Sequence, residues 1–168
     1  MKNISILVFL LLVVASLSAQ TTKNPAFTKK IEATIEHTIP VITSEQLQKK
    51  ISTKGLVILD TREQNEYKVS HLPNAQQVGY DHFKLEDVKS IDKNAVVVVY
   101  CSIGYRSEKV GERLKANGYK YVYNLYGGIF EWVNAGFRVV DSKKQTTKKV
   151  HTYNKEWSKW LEAGTRIY

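Results

Sequence analysis

Apolar positions fall into short blocks divided by polar turns, and the blocks alternate in type along the chain. Thr43 or Ser44 can cap a helix running through Lys50, with Gln46 three residues after Thr43 as a capping-box partner. Leu56 to Leu59 is a short apolar run ending at Asp60, which suits a buried strand. Gln64 to Ser70 reads as a short helix or turn, stopped near His71-Leu72-Pro73-Asn74. Gln77 to Tyr80 is a weak strand interrupted by Gly79. Ala95 to Tyr100 contains four consecutive Val and is the strongest strand signal in the chain. Such a run argues for burial on both faces, as in a parallel sheet. A helix follows from Ser107 to Ala116, with Val110 and Leu114 on its apolar face and Asn117-Gly118 ending it. Tyr121 to Asn124 is another strand, Gly127-Gly128 a turn, and Ile129 to Ala135 a short helix. Strands alternating with helices at this spacing predict a parallel α/β sheet flanked by helices.

The two ends follow other patterns. Lys2 precedes a nearly continuous apolar stretch from Ile4 to Val14, and small residues follow at Ala15, Ser16, Ser18 and Ala19. This three-part order predicts a secretory signal peptide over residues 1–19, cleaved after Ser18 or, as we favour, near Ala19. The stretch is shorter than the roughly 20 residues of a spanning helix, so an uncleaved anchor is the lesser alternative. The mature protein is expected in the periplasm or secreted. Residues 20–37 are polar without sustained period and read as a linker, and the compact pattern occupies residues 38–140. Residues 141–168 read as a basic linker and a short amphipathic helix. Trp157, Trp160 and Leu161 fall at i, i+3 and i+4 on one face of it. That face either docks back on the chain's own domain or meets a protein partner or membrane surface.

Composition narrows the chemistry. The chain has 168 residues, one Cys and a formal net charge of +9, of which +4 lies in residues 141–168. A lone Cys excludes a disulfide scaffold, a Cys-rich zinc site and a C-x-x-C redox pair. The central domain is only mildly basic, so no nucleic-acid footprint is indicated. His37, His82 and His151 have no ligand spacing, so no metal is expected. Gly127-Gly128 lacks the context of a nucleotide loop, and no cofactor is expected. Asp81, Glu86 and Asp87 read most simply as a solvated face.

Cys101 is the residue with chemistry. It follows the most buried strand directly, and ligands of open parallel sheets bind at the carboxyl ends of strands. The loop from Cys101 to Arg106 then feeds a helix N-terminus. Loop amides and the helix dipole can converge there on an anion. A thiolate in that place is stabilised, and its pKa falls below the free value. Gly104 permits a tight turn, and Ser107 can offer its hydroxyl or cap the helix. The arrangement is that of a nucleophile.

Several segments together resemble the rhodanese family of sulfurtransferases. They are Asp60-Thr61-Arg62, Glu66-Tyr67, His71 to Ala75, the loop Cys101 to Ser107 in C-x-x-G-x-R-S form, and Leu125 to Gly128 followed by Trp132. They occur in the family's order and cover roughly residues 38–140. The resemblance implies a single domain with a central parallel five-stranded sheet. It implies that Cys101 takes a sulfane sulfur from a small donor as a persulfide and passes it to a thiophilic acceptor. Ser102, Ile103, Gly104, Tyr105, Arg106, Ser107 and Arg62 would then contact substrate. Asp60, Glu66 and His71 would support them. Arg62 suits either an ion pair with Asp60 or a substrate anion, and Arg106 either Glu66 or substrate.

The same fold family resembles cell-cycle phosphatases, which place five residues between Cys and Arg. Here four residues separate Cys101 from Arg106, a cradle better sized to one sulfur than to a phosphate. The best-known thiosulfate-using members carry basic residues directly after the Cys. Ser102 and Ile103 are neutral and Tyr105 is aromatic, which suits a less charged persulfide or a protein partner better. The alternative to an enzyme is a binding or sulfur-carrier module built on the same cradle.

Overall fold

A computed structural model describes residues 21–168, so the expected signal peptide lies outside the described residues. The sheet is parallel, with strand order β1-β5-β4-β2-β3. Its strands are β1 (Val41–Ile42), β2 (Leu56–Asp60), β3 (Gln76–Gln77), β4 (Val96–Tyr100) and β5 (Tyr121–Leu125). The Val run sits at the centre as β4, with Val97, Val98 and Val99 fully buried. β4 pairs with β2 from Val96–Leu56 to Tyr100–Asp60, so Asp60 and Tyr100 end side by side at the carboxyl edge. Chain order and spatial order diverge on either side of β4, and the loops leaving the carboxyl edge can gather there.

Helices cover both faces. α2 (Ser44–Lys50) begins with the expected capping box: Thr43 Oγ1 accepts the Gln46 amide, and Gln46 Oε1 accepts the Thr43 amide. α4 (Tyr105–Ala116) starts two residues earlier than the sequence suggested, because Gly104 rather than Ser107 caps it. Val110 and Leu114 of α4 pack with Val97, Val99 and Val122 in one layer of the core. α3 (Gln64–Val69) and α5 (Gly128–Asn134) complete the expected helices, and α5 buries Ile129, Phe130 and Trp132 in the other layer. The strand expected over residues 77–80 is shorter and shifted, since Gly79 adopts φ +71° and turns the chain off the sheet.

Among the described residues, 21–37 do not form the expected linker. Asn24 caps the helix α1 (Pro25–Glu32), accepting the Ala26 and Phe27 amides, and Pro25 occupies its first position. Phe27 and Ile31 from α1, together with Ile35, are buried in the main core. The buried Glu108 of α4 ties the following segment down by accepting the amides of Glu36 and Thr38.

Residues 141–149 are likewise not a free linker. β6 (Val139–Val140) and β7 (Thr146–Thr147) form an antiparallel hairpin, and β8 (Lys149–His151) pairs in parallel with β9 (Thr165–Ile167). The terminal helix α6 (Lys155–Ser158) is a single turn. Trp160 stacks on Phe27 at 5.6 Å, and Val150 and Leu161 are fully buried in the main core. The apolar face of the tail therefore docks on the chain's own domain. Leu161→Ala is expected to cost about 3 kcal/mol, the usual penalty for emptying a buried Leu site. Thermal unfolding checks it, and an unchanged melting temperature would mean that the tail contributes no packing.

Candidate active site

Cys101 directly follows β4, and its sulfur is held by the loop that turns into α4. The Gly104 N–H donates to Sγ at 3.1 Å. Gly104 reaches this geometry at φ +124°, a conformation that side chains rarely adopt. The first turn of α4 has amides with no intrahelical acceptor, and they face the same end of the helix. Burial raises the Cys101 pKa, but the Arg106 charge, the Ser107 amide and hydroxyl and the Gly104 amide together hold it below the ordinary thiol value. Thiolate is the reactive form, so alkylation of Cys101 is expected to proceed with a pH midpoint below that of a free Cys, about 8.5. Iodoacetamide rates against pH measure this, and a midpoint at or above the free value would exclude an activated thiolate.

The loop is braced from three sides. From β5, the buried Asn124 donates through Nδ2 to the Gly104 carbonyl at 2.9 Å, and its Oδ1 accepts the Ser107 hydroxyl at 2.7 Å. From α5, the amides of Ile129 and Phe130 donate to the carbonyls of Cys101 and Ser102 at 2.9 and 3.2 Å. That approach requires Gly128, because a Cβ there would lie 2.4 Å from the Cys101 oxygen. From α3, Glu66 takes both ends of the Arg106 guanidinium at 2.7 and 2.9 Å, and Arg106 Nη2 also reaches Ser102 Oγ at 3.1 Å. Burial raises the Glu66 pKa, yet the bonds and charge of Arg106 hold it below the ordinary carboxylate value. This pair therefore stays ionised at neutral pH.

Arg62 is not a substrate contact. It is fully buried, and its Nε and Nη2 donate to Asp60 while Nη2 also donates to the Ser70 carbonyl. Burial without water favours this closed ion pair over an open anion site. The Tyr100 hydroxyl donates to the same carboxylate at 2.5 Å and accepts the Leu72 amide at 3.1 Å. His71 is structural, exchanging two backbone bonds with Val140 and stacking on Tyr67.

A pocket of about 350 Å³ opens over Cys101. From the sequence-predicted set, Cys101, Ser102, Ile103, Tyr105 and Arg106 line it, whereas Gly104, Ser107 and Arg62 do not. Glu63, Tyr80 and Asp81 form a wall that sequence reasoning missed, as did Thr34, Tyr153 and Trp157 from the chain ends. Asp81 thus borders the pocket instead of a plain solvated face. Tyr153 lies against Arg106, with the guanidinium 5.6 Å from its ring centre. Asn124 also escaped notice, since a single polar residue ending a strand carries no local motif.

Comparisons with known proteins agree with this geometry. The tRNA uridine(34) hydroxylase of Buchnera aphidicola subsp. Schizaphis graminum is 35% identical over 98 residues, 55% of this chain and 31% of that protein. That of Yersinia pestis is 33% identical over 96 residues, 54% of this chain and 27% of that protein. The chain spans less than a third of the length of these curated relatives. A solved rhodanese-like domain protein from Staphylococcus aureus is 33% identical, with a TM-score of 0.51 over 56% of this chain and 91% of its own. The thiosulfate sulfurtransferase of Pseudomonas aeruginosa is similar in fold alone, at 24% identity, a TM-score of 0.56, 81% of this chain and 26% of that one. The model of the rhodanese-like domain matches residues 43–135, more than half of the sequence and the whole of the Cys101 loop, and the chain belongs to that family.

Proposed function

We propose that the protein is a sulfurtransferase that carries a sulfane sulfur on Cys101. The observation that carries this reading is the Cys101 sulfur itself, held 3.1 Å from the Gly104 amide at the floor of an open pocket. The thiolate attacks the outer sulfur of a donor, thiosulfate or a persulfide. A bond forms between Sγ and that sulfur, and the donor's sulfur–sulfur bond breaks. Its electron pair leaves on the donor's remaining fragment. Amides at the start of α4 then face the terminal sulfur of the Cys101 persulfide and stabilise its charge. A thiophilic acceptor attacks that terminal sulfur, and Sγ departs as thiolate. No net oxidant or reductant is consumed.

Arg106 supports this chemistry from the side. Its charge lowers the Cys101 pKa while Glu66 fixes its direction. The hydroxylase relatives are matched over only one part of their length, and their reaction is not carried over to this chain. Residues 1–19 support export, so the reaction is placed in the periplasm or outside the cell. Sulfur transfer to cyanide, followed as thiocyanate, tests the reading. Wild-type protein should turn over with a sulfane donor, and Cys101→Ala should lose at least a thousandfold. Equal rates in the two would overturn it, and binding without turnover would favour a carrier module.

A further inference from the structure

The pocket over Cys101 is larger and differently charged than a small inorganic anion needs. Its volume of about 350 Å³ lies in the range of sites for organic ligands. Tyr80, Tyr105, Tyr153 and Trp157 give it an aromatic lining. Two of these, Tyr105 and Tyr153, are among the most exposed large apolar side chains of the described residues, 44% and 57% accessible, and both stand at this one opening. Tyr153 also holds φ +66°, an uncommon conformation for a bulky residue. Its amide is held there by His151 Nδ1 at 3.0 Å. Strain of this kind persists only where surrounding contacts enforce it.

The charges point the same way. Glu63 and Asp81 place two carboxylates on the wall. Glu63 Oε1 faces the amides of Tyr80 and Asp81, which fixes that carboxylate beside the opening. The one cation among the lining residues, Arg106, has its guanidinium already engaged by Glu66 and Ser102. Lys30 lies against Trp157, 4.8 Å from its ring centre, and does not itself line the pocket. Beyond the amides at Cys101 itself, a dianion entering here meets two carboxylates and no uncommitted cation among the lining side chains. An uncharged body meets rings it can stack on.

We propose that the donor is an organic persulfide with an uncharged aromatic or aliphatic body, and that Tyr153 and Trp157 select it over thiosulfate. This rests on the sulfurtransferase reading for its chemistry and on the pocket alone for its ranking of ligands. Tyr153 and Trp157, with Thr34, lie outside the family-matched residues 43–135. The chain's own N- and C-terminal additions therefore supply the selectivity. The transfer step is the one already described, with the organic thiol leaving when its sulfur–sulfur bond breaks and taking up a proton.

Two measurements separate the pocket from the reaction. Calorimetry on Cys101→Ser compares phenylmethanethiol, the shape of the departing thiol, with thiosulfate. The thiol should bind at least tenfold more tightly. Tyr153→Ala in that background should weaken thiol binding at least fivefold, and Asp81→Asn should improve thiosulfate binding about threefold. Trp157→Leu is a second test of the wall, read beside its melting temperature because Trp157 is partly buried. Thiosulfate binding as tightly as the thiol, or Tyr153→Ala leaving thiol binding within twofold, would overturn the selectivity. In the wild-type chain, kcat/KM with benzyl persulfide should exceed that with thiosulfate at least tenfold, cyanide being the acceptor. Transfer from neither donor would defeat the sulfurtransferase reading, while the binding order would still decide what the pocket selects.

Discussion

Asp60→Ala is expected to cost about 3–5 kcal/mol of folding stability, the largest single-residue loss outside the thiol loop. Asp60 accepts from the Arg62 amide, from Arg62 Nε and Nη2, and from the Tyr100 hydroxyl, all without access to water. Its removal leaves a buried guanidinium whose Nη1 already has no hydrogen-bond partner. A typical domain is stable by only about 5–15 kcal/mol, so the variant should be partly unfolded near physiological temperature. Urea unfolding at neutral pH measures the loss. The control is Asp60→Leu combined with Arg62→Met, which removes both charges and should recover much of the stability. A loss below about 1 kcal/mol for Asp60→Ala would show that the ion pair is replaceable by water. The same contacts hold Tyr100, the residue before Cys101, so the stability defect should bring a slower thiol.

Gly128→Ala should be nearly as damaging, and for a different reason. Gly128 has φ +56°, which costs an L side chain about 1–2 kcal/mol. Its Cβ would also meet the Cys101 oxygen at 2.4 Å and the Ser102 carbonyl carbon and oxygen at 2.6 Å. These are backbone atoms and cannot swing aside. Relief would break the bonds from Ile129 and Phe130 to the same carbonyls, about 1 kcal/mol each. The total is about 3–4 kcal/mol, and the displaced atoms belong to the nucleophile's own loop. Melting temperature and alkylation rate should fall together. A stable variant with an unaltered Cys101 midpoint would show that the loop does not depend on the approach of α5.

Which parts of this site could be read from residue order follows from the range of the interactions. The Val run of β4, the Thr43–Gln46 cap and the turn after Cys101 are local patterns and lie where their spacing puts them, although α4 begins at Tyr105 and not at Ser107. α1 was missed because its core contacts form one narrow seam, Phe27 and Ile31 with Ile35 beyond, in otherwise polar sequence. Asn24 and Pro25 were its readable signals, as N-cap and first helical residue. The tail's Trp157, Trp160 and Leu161 do pack together on the core, yet only Trp157 is in the single helical turn α6, and Trp160 and Leu161 follow it before β9 instead of extending a longer helix. Pairing β8 with β9 is a tertiary event without a local signature. The pocket's far wall is the same case. Glu63, the adjacent Tyr80 and Asp81, and Tyr153 come from three places in the chain, and only the fold brings them to Cys101.

The most direct measurement is the intact mass of the protein after exposure to a sulfane donor and removal of excess reagent. A gain of one sulfur atom on the wild-type chain, reversed by cyanide or a thiol reductant and absent from Cys101→Ser, is the expected result. An unmodified wild-type mass, or the same gain in Cys101→Ser, would contradict a persulfide carried on Cys101.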